Sequence, residues 1–443
     1  MKLTKPMMMN DSFYGRLGKL LISWWLLLLI AVTPLEAQPL LTLTEAVQRV
    51  LTHNFDIQIA RNEQKIAAKN HHMGRAGFLP SLDTHFGLHQ EHTVWPQKQN
   101  ADAANLSAGL GLKWTVFNGM QHIFTCQHLE KVSQIHQLAT QQTIEDKVAE
   151  AITGYYRLAL AQKRKQVLEN CLAVSKEVLQ LTKAKYEVGQ CSKLEYLNAQ
   201  VQHNEEQAKL LLQEEECTVA KLALRSLLGQ EGPEDFMIEA HIPLPSRLSW
   251  EALTEASATV NTSIRIAQKH CEDATLAIKL KQADLWPSVD LSLGYSFGSK
   301  HHDQHWESTP GVLRYGISMR FNLFHAFQHT TAIQEAGIRA DNAQLHLRAQ
   351  QMQLEAELQK HFSHYTQQLK CCELAQQHMQ VSQENVALAL AQYRLGVITV
   401  LALDKATQNA QETTLKHFQA IYDAKVTEVE LQKLGGILLD AAY

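Results

Sequence analysis

One stretch constrains this chain more than any other. From Gly119 to Gly189 the sequence contains no proline and a single interior glycine, Gly154. Apolar side chains recur there at steps of three and four: Val148, Ile152, Tyr155 and Ala159, then Val167, Cys171, Val174, Val178 and Leu181. That spacing places them on one stripe of an α-helix. At 1.5 Å per residue the helix is roughly 100 Å long. An ordinary globular domain rarely uses such a helix, so the pattern predicts a coiled coil or a tube of helices. A second stretch of the same kind runs from Ala326 to Gly396.

The second stretch is a repeat of the first. An offset of 207 positions carries Asn54 onto Asn261, Pro80-Ser81 onto Pro287-Ser288, and Asp83 onto Asp290. It also carries Phe117 onto Phe324, Tyr186 onto Tyr393, Gly189 onto Gly396 and Gly229 onto Gly436. One offset without gaps serves the whole of both copies, which marks an internal repeat. Residues 1–37 are expected to be a signal peptide and 38–230 the first structural repeat, with strands at about 81–90 and 105–117. Residues 231–247, which include Pro233, Pro243 and Pro245, read as a linker. The second repeat is expected over 248–436, with strands at about 288–298 and 312–324, and 437–443 form a short C-terminal tail.

Each repeat opens on a helix with a capping residue, Thr42 or Ser249, and Glu45 completes a capping box in the first copy. These helices are expected to run to about Gly77 and Asp284, stopping ahead of Pro80 and Pro287. The hydrophobic period then changes from 3.6 to 2. Leu82, Thr84, Phe86 and Leu88 alternate with polar or small residues, as do Val289, Leu291, Leu293 and Tyr295. After polar loops at Glu91–Ala104 and Gly298–Gly311 a second alternating strand returns, and the long helix starts after Asn118 or His325. It turns near Gly189 or Gly396, and a shorter helix runs back to Gly229 or Gly436, where glycine suits a helix end needing positive φ.

Strands of this length, apolar on one face and polar or small on the other, match transmembrane β-barrel strands. The polar faces carry Asp83, Lys113, Asp290 and Arg320, which suits a water-filled lumen. Trp114, Phe117, Phe321 and Phe324 gather at the strand ends nearest the helices, as an interfacial girdle does. Four strands cannot close a barrel, and an open edge is not tolerated in lipid, so several copies must share one barrel. Two copies supply eight strands, which side chains would fill, while three supply twelve and leave room for a pore. The expected fold is mainly α with a membrane β-barrel: a tandem repeat of helix, β-hairpin, long helix and helix, trimeric, with a 12-stranded barrel continued by a barrel of helices.

The tandem unit, the Leu79-Pro80-Ser81-Leu82-Asp83 and Trp286-Pro287-Ser288-Val289-Asp290 strand starts, the Phe117-Asn118-Gly119 helix start, and the Tyr186 and Tyr393 turns together resemble the TolC-like outer membrane efflux family. The resemblance covers nearly all of the chain beyond residue 37. It implies a homotrimer in the outer membrane with its helical part in the periplasm. It also implies a passive exit duct for small molecules or proteins, serving a tripartite efflux pump or type I secretion system. The partners it implies are a periplasmic adaptor (membrane fusion) protein, an inner-membrane transporter and outer-membrane lipid. The turns at Gly189 and Gly396 would then lie at the periplasmic tip, which the family keeps closed at rest. Acidic side chains that follow the family's glycines are only partly present: Glu195 and Asn198 stand in the first copy, and Ala402 and Lys405 in the second, with Asp404 one place away. The gate candidates are Glu195, Tyr393, Lys405 and Asp404, with Glu195 bonded to Tyr393 or paired with Lys405.

The remaining features exclude more than they assign. Lys2, Lys5, Arg16 and Lys19 precede an apolar run from Leu20 to Val32 and a cleavage site after Ala37, the pattern of a secretory signal. That run is too short to span a bilayer comfortably, and no other apolar run approaches twenty residues. A net charge of −4 gives no reason to expect nucleic acid. No phosphate-binding loop, nucleophile elbow or zinc-protease motif occurs, so neither catalysis nor a cofactor is expected. Seven scattered cysteines form no disulfide or zinc pattern. The 22 histidines, including His85, His89, His92 and the His301–His305 cluster, are the one compositional oddity. They support a secondary reading as a heavy-metal efflux component, because imidazole is a common metal ligand. A periplasmic coiled-coil spacer is the other alternative, although a coiled coil needs no alternating strands.

Overall fold

The computed structural model describes residues 40–93, 101–229, 236–302 and 305–439. The expected signal peptide lies outside these residues, as do residues 230–235 of the join and most of the expected tail. The described residues form two compact units. The smaller contains a short parallel pair, β1 (Leu40–Leu41) and β4 (Met237–Ile238).

The larger unit holds both repeats. The first consists of α1 (Leu43–His53), α2 (Phe55–Asn70), β2 (Ser81–Thr93), β3 (Ala101–Asn118), α3 (Gln121–Glu187) and α4 (Lys193–Leu227). The second consists of α5 (Trp250–Val260), α6 (Thr262–Ala283), β5 (Ser288–His302), β6 (His305–Arg320), α7 (Gln328–Arg394) and α8 (Val400–Leu434). The long helices α3 and α7 each have 67 residues, about 100 Å, and their return helices each have 35.

Three expectations are corrected. The opening helix of each repeat is two helices, broken at Asn54 and Asn261. Both asparagines take extended backbone and cap the helix that follows, accepting from the amides of Ile57 (3.2 Å) and Ile264 (3.1 Å). Each side-chain amide donates to the last turn of its own return helix, Asn54 to Leu227 O and Asn261 to Leu434 O, both at 2.9 Å. The break is thus the point where a repeat closes on itself. Second, the polar loops are shorter than expected, because strand pairing continues through Thr93 and His302 and resumes at Ala101 and His305. Serine, threonine and histidine tolerate a pleat, and glycine and Pro310 are absorbed at a bulge rather than ending the strand. Third, β6 ends at Arg320, so Phe321 and Phe324 stand beyond the strand.

The four long strands form one antiparallel sheet in the order β2-β3-β5-β6, with β2 and β6 at its edges. The two hairpins share a register: Ser81 is opposite Lys113, and Ser288 is opposite Arg320, which is the same pair shifted by the repeat offset. Residues 119–120 and 326–327 turn the corner from sheet to long helix with two consecutive positive φ angles in each copy. Gly119 has little alternative, since a Cβ there would meet Ala283 O at 2.4 Å.

The helical core follows the expected stripe in α3, where Val148, Ile152, Tyr155, Leu158 and Ala159 are buried. The equivalent helix α7 leaves Ile338, Leu345, Met352, Leu374 and Val381 exposed. The difference is positional. α3 packs between its own return helix and α6 and α8 of the second repeat, whereas α7 packs on α6 and α8 of its own repeat.

Candidate functional site

Two places gather the residues with functional promise: one face of the sheet, and the turns at the far end of the long helices.

On the sheet, directly opposed residues share a face. Asp83 is opposite Gly111, Thr115 opposite Asp290, Lys113 opposite Ser292, and Ser288 opposite Arg320. The four residues expected in the lumen, Asp83, Lys113, Asp290 and Arg320, therefore fall on a single face. Around them stand small residues, Gly87, Gly109, Gly294 and Gly316 among them. Thr115 Oγ1 donates to Asp290 Oδ1 at 2.6 Å. The opposite face carries Leu82, Phe86, Leu110, Leu293, Ile317 and Met319, all exposed on the single chain. No helix among the described residues is long and apolar enough to cross a membrane.

At the other end, α3 and α7 each stop on a glycine with positive φ, Gly189 at 77° and Gly396 at 76°. Nothing lies within 4 Å of where a Cβ would stand on either, so the backbone conformation alone asks for glycine. Paired amides close the last turn: Gly189 N to Tyr186 O and Gln190 N to Lys185 O, and Gly396 N to Tyr393 O and Val397 N to Gln392 O. Beside the turns an apolar cluster of Ala199, Ala389, Tyr393, Val400, Leu403 and Ala406 joins helices of both repeats.

Tyr393 is the one polar-tipped side chain of that cluster. It is 3 % exposed, and its hydroxyl shares a 2.6 Å hydrogen bond with Thr182 Oγ1. Lys185 Nζ donates to Tyr393 O at 3.0 Å and lies 4.2 Å from the ring centroid, a cation–π contact. Burial pushes the Tyr393 hydroxyl up, and the Thr182 bond partly offsets this. The neighbouring Arg394 is ion-paired with Glu177. The hydroxyl of Tyr393 is therefore bonded across the repeats to Thr182 rather than to Glu195. Glu195 sits in the first turn of α4, where its amide donates to the capping Ser192 Oγ at 3.2 Å. Lys405 is exposed on α8. Asp404 faces inward instead, lining a pocket between α3, α4 and α8 with Cys171, Asn198 and Glu206. Burial, and then the charges of Glu205 and Glu206, raise its carboxyl above the ordinary range. Glu206 is itself buried, held by Lys209 at 2.7 Å and by Gln411 at 3.1 Å.

Thr182, Lys185 and the Glu177–Arg394 pair escaped the reading of the sequence. The signal for Thr182 was present, because it stands four residues after Val178 as a polar intrusion on the apolar stripe. The same repeat-to-repeat seam continues along the helices. Glu145 accepts from Thr262 at 2.9 Å, Lys131 pairs with Glu272 at 2.6 Å, Lys433 with Asp146 at 2.5 Å, and Arg164 donates to Gln419 at 2.5 Å. The histidines are dispersed. His128 pairs with Asp273 and His122 contacts the backbone of Ala76 and Thr115. Among the described residues no three His, Cys, Asp or Glu side chains are placed to hold a metal ion.

The sequence matches the family profile described as "Outer membrane efflux protein" over residues 46–230 and again over 253–436. It is 22 % identical to the outer membrane protein TolC of Vibrio cholerae over 82 % of this chain and 83 % of that one. It is 20 % identical to nodulation protein T of Rhizobium leguminosarum bv. trifolii over 86 % of this chain and 82 % of the other. Its fold is similar to that of the CmeC outer membrane channel of Campylobacter jejuni, with a TM-score of 0.73, 15 % identity, and coverage of 89 % and 86 % of the two chains.

Proposed function

The chain belongs to the outer membrane efflux protein family, a family of outer-membrane channels, and from that premise we propose that three copies form the exit duct of a tripartite efflux pump or type I secretion system. The observation that carries this reading is the sheet. Among the described residues it has one apolar face, one polar face and two edge strands, β2 and β6, and such edges must be closed before the sheet can lie in lipid. Three copies supply twelve strands, enough for a lumen lined by Asp83, Lys113, Asp290 and Arg320. The helices prolong that lumen on one side of the membrane. A periplasmic adaptor and an inner-membrane transporter then deliver substrate at the helix turns. Those turns form the gate, held by Tyr393, with Glu195, Asp404 and Lys405 around it and Gly189 and Gly396 making the reversals.

The reading is tested by reconstituting the purified protein in planar bilayers. Discrete conductance steps from a species of trimeric mass are expected. A trimer without conductance under any voltage, or a monomer that does not insert, would overturn it. A coiled-coil spacer accounts for the helices and leaves the sheet without a purpose.

A further inference from the structure

The polar face of the sheet carries its fixed charges in equal number. β2 contributes Asp83 and Glu91, β3 Lys113, β5 Asp290 and Lys300, and β6 Glu307, Arg314 and Arg320. Among the described residues four carboxylates thus stand against four cations, and the face has no net fixed charge. Two imidazoles can break that balance. His85 and His89 alternate onto the face of Asp83 and are exposed on the single chain. The row of His85 continues through Gly109, Ser296 and Val312, and Arg314 donates to Ser296 Oγ at 3.1 Å. The row of His89 continues through Asn105, Lys300 and Glu307. His305 lies further out, opposite His302 on the last pair of the β5–β6 hairpin.

The backbone makes room for both rings. A Cβ on Gly109 would meet His85 Cε1 at 2.5 Å, and one on Gly87 would meet His89 Nε2 at 3.1 Å. Each ring therefore lies along the sheet, over a glycine. The repeat offset carries His85 onto Ser292 and His89 onto Ser296, with Gly109 onto Gly316 and Gly87 onto Gly294. The second repeat keeps both glycines, and the hydroxyl of Ser292 stands 3.7 Å from where a Cβ on Gly316 would be. The fold thus pairs equivalent strands with serine at both positions. Packing does not call for the imidazoles.

We propose that His85 and His89 determine which ions the barrel passes: it is indifferent to the sign of charge when the imidazoles are neutral and selects anions when they are protonated. This rests on the assembly reading above and gives its lumen a specificity. Rings of like charge set the sign of the ion that a pore admits, and imidazole is the side chain whose charge changes between about pH 8 and pH 5. Because the other charges of the face cancel, every proton gained appears as net positive charge. Screening extends over about 8 Å at physiological ionic strength. Each charge therefore reaches past its next neighbour on the face, about 7 Å along the strand.

Reversal potentials across a planar bilayer in a gradient of potassium chloride test this, because they give the permeability ratio of chloride to potassium. In the wild type at low salt the ratio is expected to rise roughly threefold from about pH 7.5 to about pH 5.5. The rise should shrink in about 1 M salt, where screening extends over only about 3 Å. His85→Gln combined with His89→Gln keeps two polar side chains and is expected to remove most of the rise. His92→Gln, on the opposite face of β2, is expected to keep it. The helix turns are the same in all three proteins, so a difference between them belongs to the barrel. The proposal is overturned, and the duct left standing, by a wild-type ratio that does not move or by a double variant that shifts as the wild type does. Loss of the shift in His92→Gln overturns it equally. If the wild type never conducts, the assembly reading fails and the proposal fails with it.

Discussion

The hydroxyl of Tyr393 is one of several contacts that join the two repeats at the helix turns, and it can be removed by itself. Tyr393→Phe keeps the ring under Lys185 and deletes the bond to Thr182. Thr182 keeps its bond to Val178 O, so the loss is that of one hydrogen bond, about 0.5–1.5 kcal/mol, and single-channel conductance in planar bilayers is expected to rise. Asp404 gives a prediction with a pH sign. Its folded carboxyl titrates above the ordinary 3.8, so the folded chain holds its proton more tightly than the unfolded chain does. Its contribution to stability is full below 3.8 and is lost as pH rises through that value and the raised one. Asp404→Asn is therefore expected to raise the melting temperature at neutral pH, and the gain should vanish on acidification towards 3.8. A gain that persists in acid would show that burial of the charge is not its cause. At this scale the sequence was only partly legible. Tyr393 and Asp404 were found because they flank a repeated glycine turn. Their partners Thr182 and Glu206 lie far away in sequence, and no periodicity connects residues on different helices.

The elements were more legible, because period, proline and glycine act locally. The α3 stripe, the two hairpins and the positive-φ turns follow from side-chain spacing and backbone sterics. The double helix at the start of each repeat did not, because Asn54 and Asn261 break it in order to reach carbonyls on a return helix. Nothing near Asn54 in the sequence records that distant partner. The corner between sheet and long helix is the most strained of the elements. Ala326 takes φ 44° and Phe327 φ 61°, where the first repeat uses Gly119 and Met120. An L-residue in the left-handed region costs about 1 kcal/mol or more. Ala326→Gly is accordingly expected to stabilise the detergent-solubilised protein by about 1 kcal/mol, seen as a higher thermal midpoint. Gly119→Ala should lower it by more, since the added methyl meets Ala283 O. An equal response from the two variants would mean that the corner is not the source of strain.

For the whole molecule, the two faces of the sheet make the sharpest forecast. Asp in place of Leu293 sets a charge on the apolar face, at a cost of about 2 kcal/mol near the bilayer midplane. Asp in place of the adjacent Ser292 faces the polar side and should be tolerated. Recovery of detergent-resistant trimer after heating separates the two, and equal losses would reverse the assignment of faces. The trimer itself is legible only as an arithmetic deficit of strands, because one chain carries the halves of a contact that only another copy completes. One further consequence follows from the bonds of Asn54 to Leu227 and Asn261 to Leu434. Each bond brings the beginning of a repeat against its own end, and Gly229 lies so close to His53 that a Cβ would meet its carbonyl oxygen at 2.4 Å. A module whose termini touch can be cut from its neighbour and rejoined in the other order without redirecting the chain. In a closed circle of alternating modules there is no first member, so which two are fused into one polypeptide is a matter of gene layout, and a circular permutant opened at the linker should assemble the same wall.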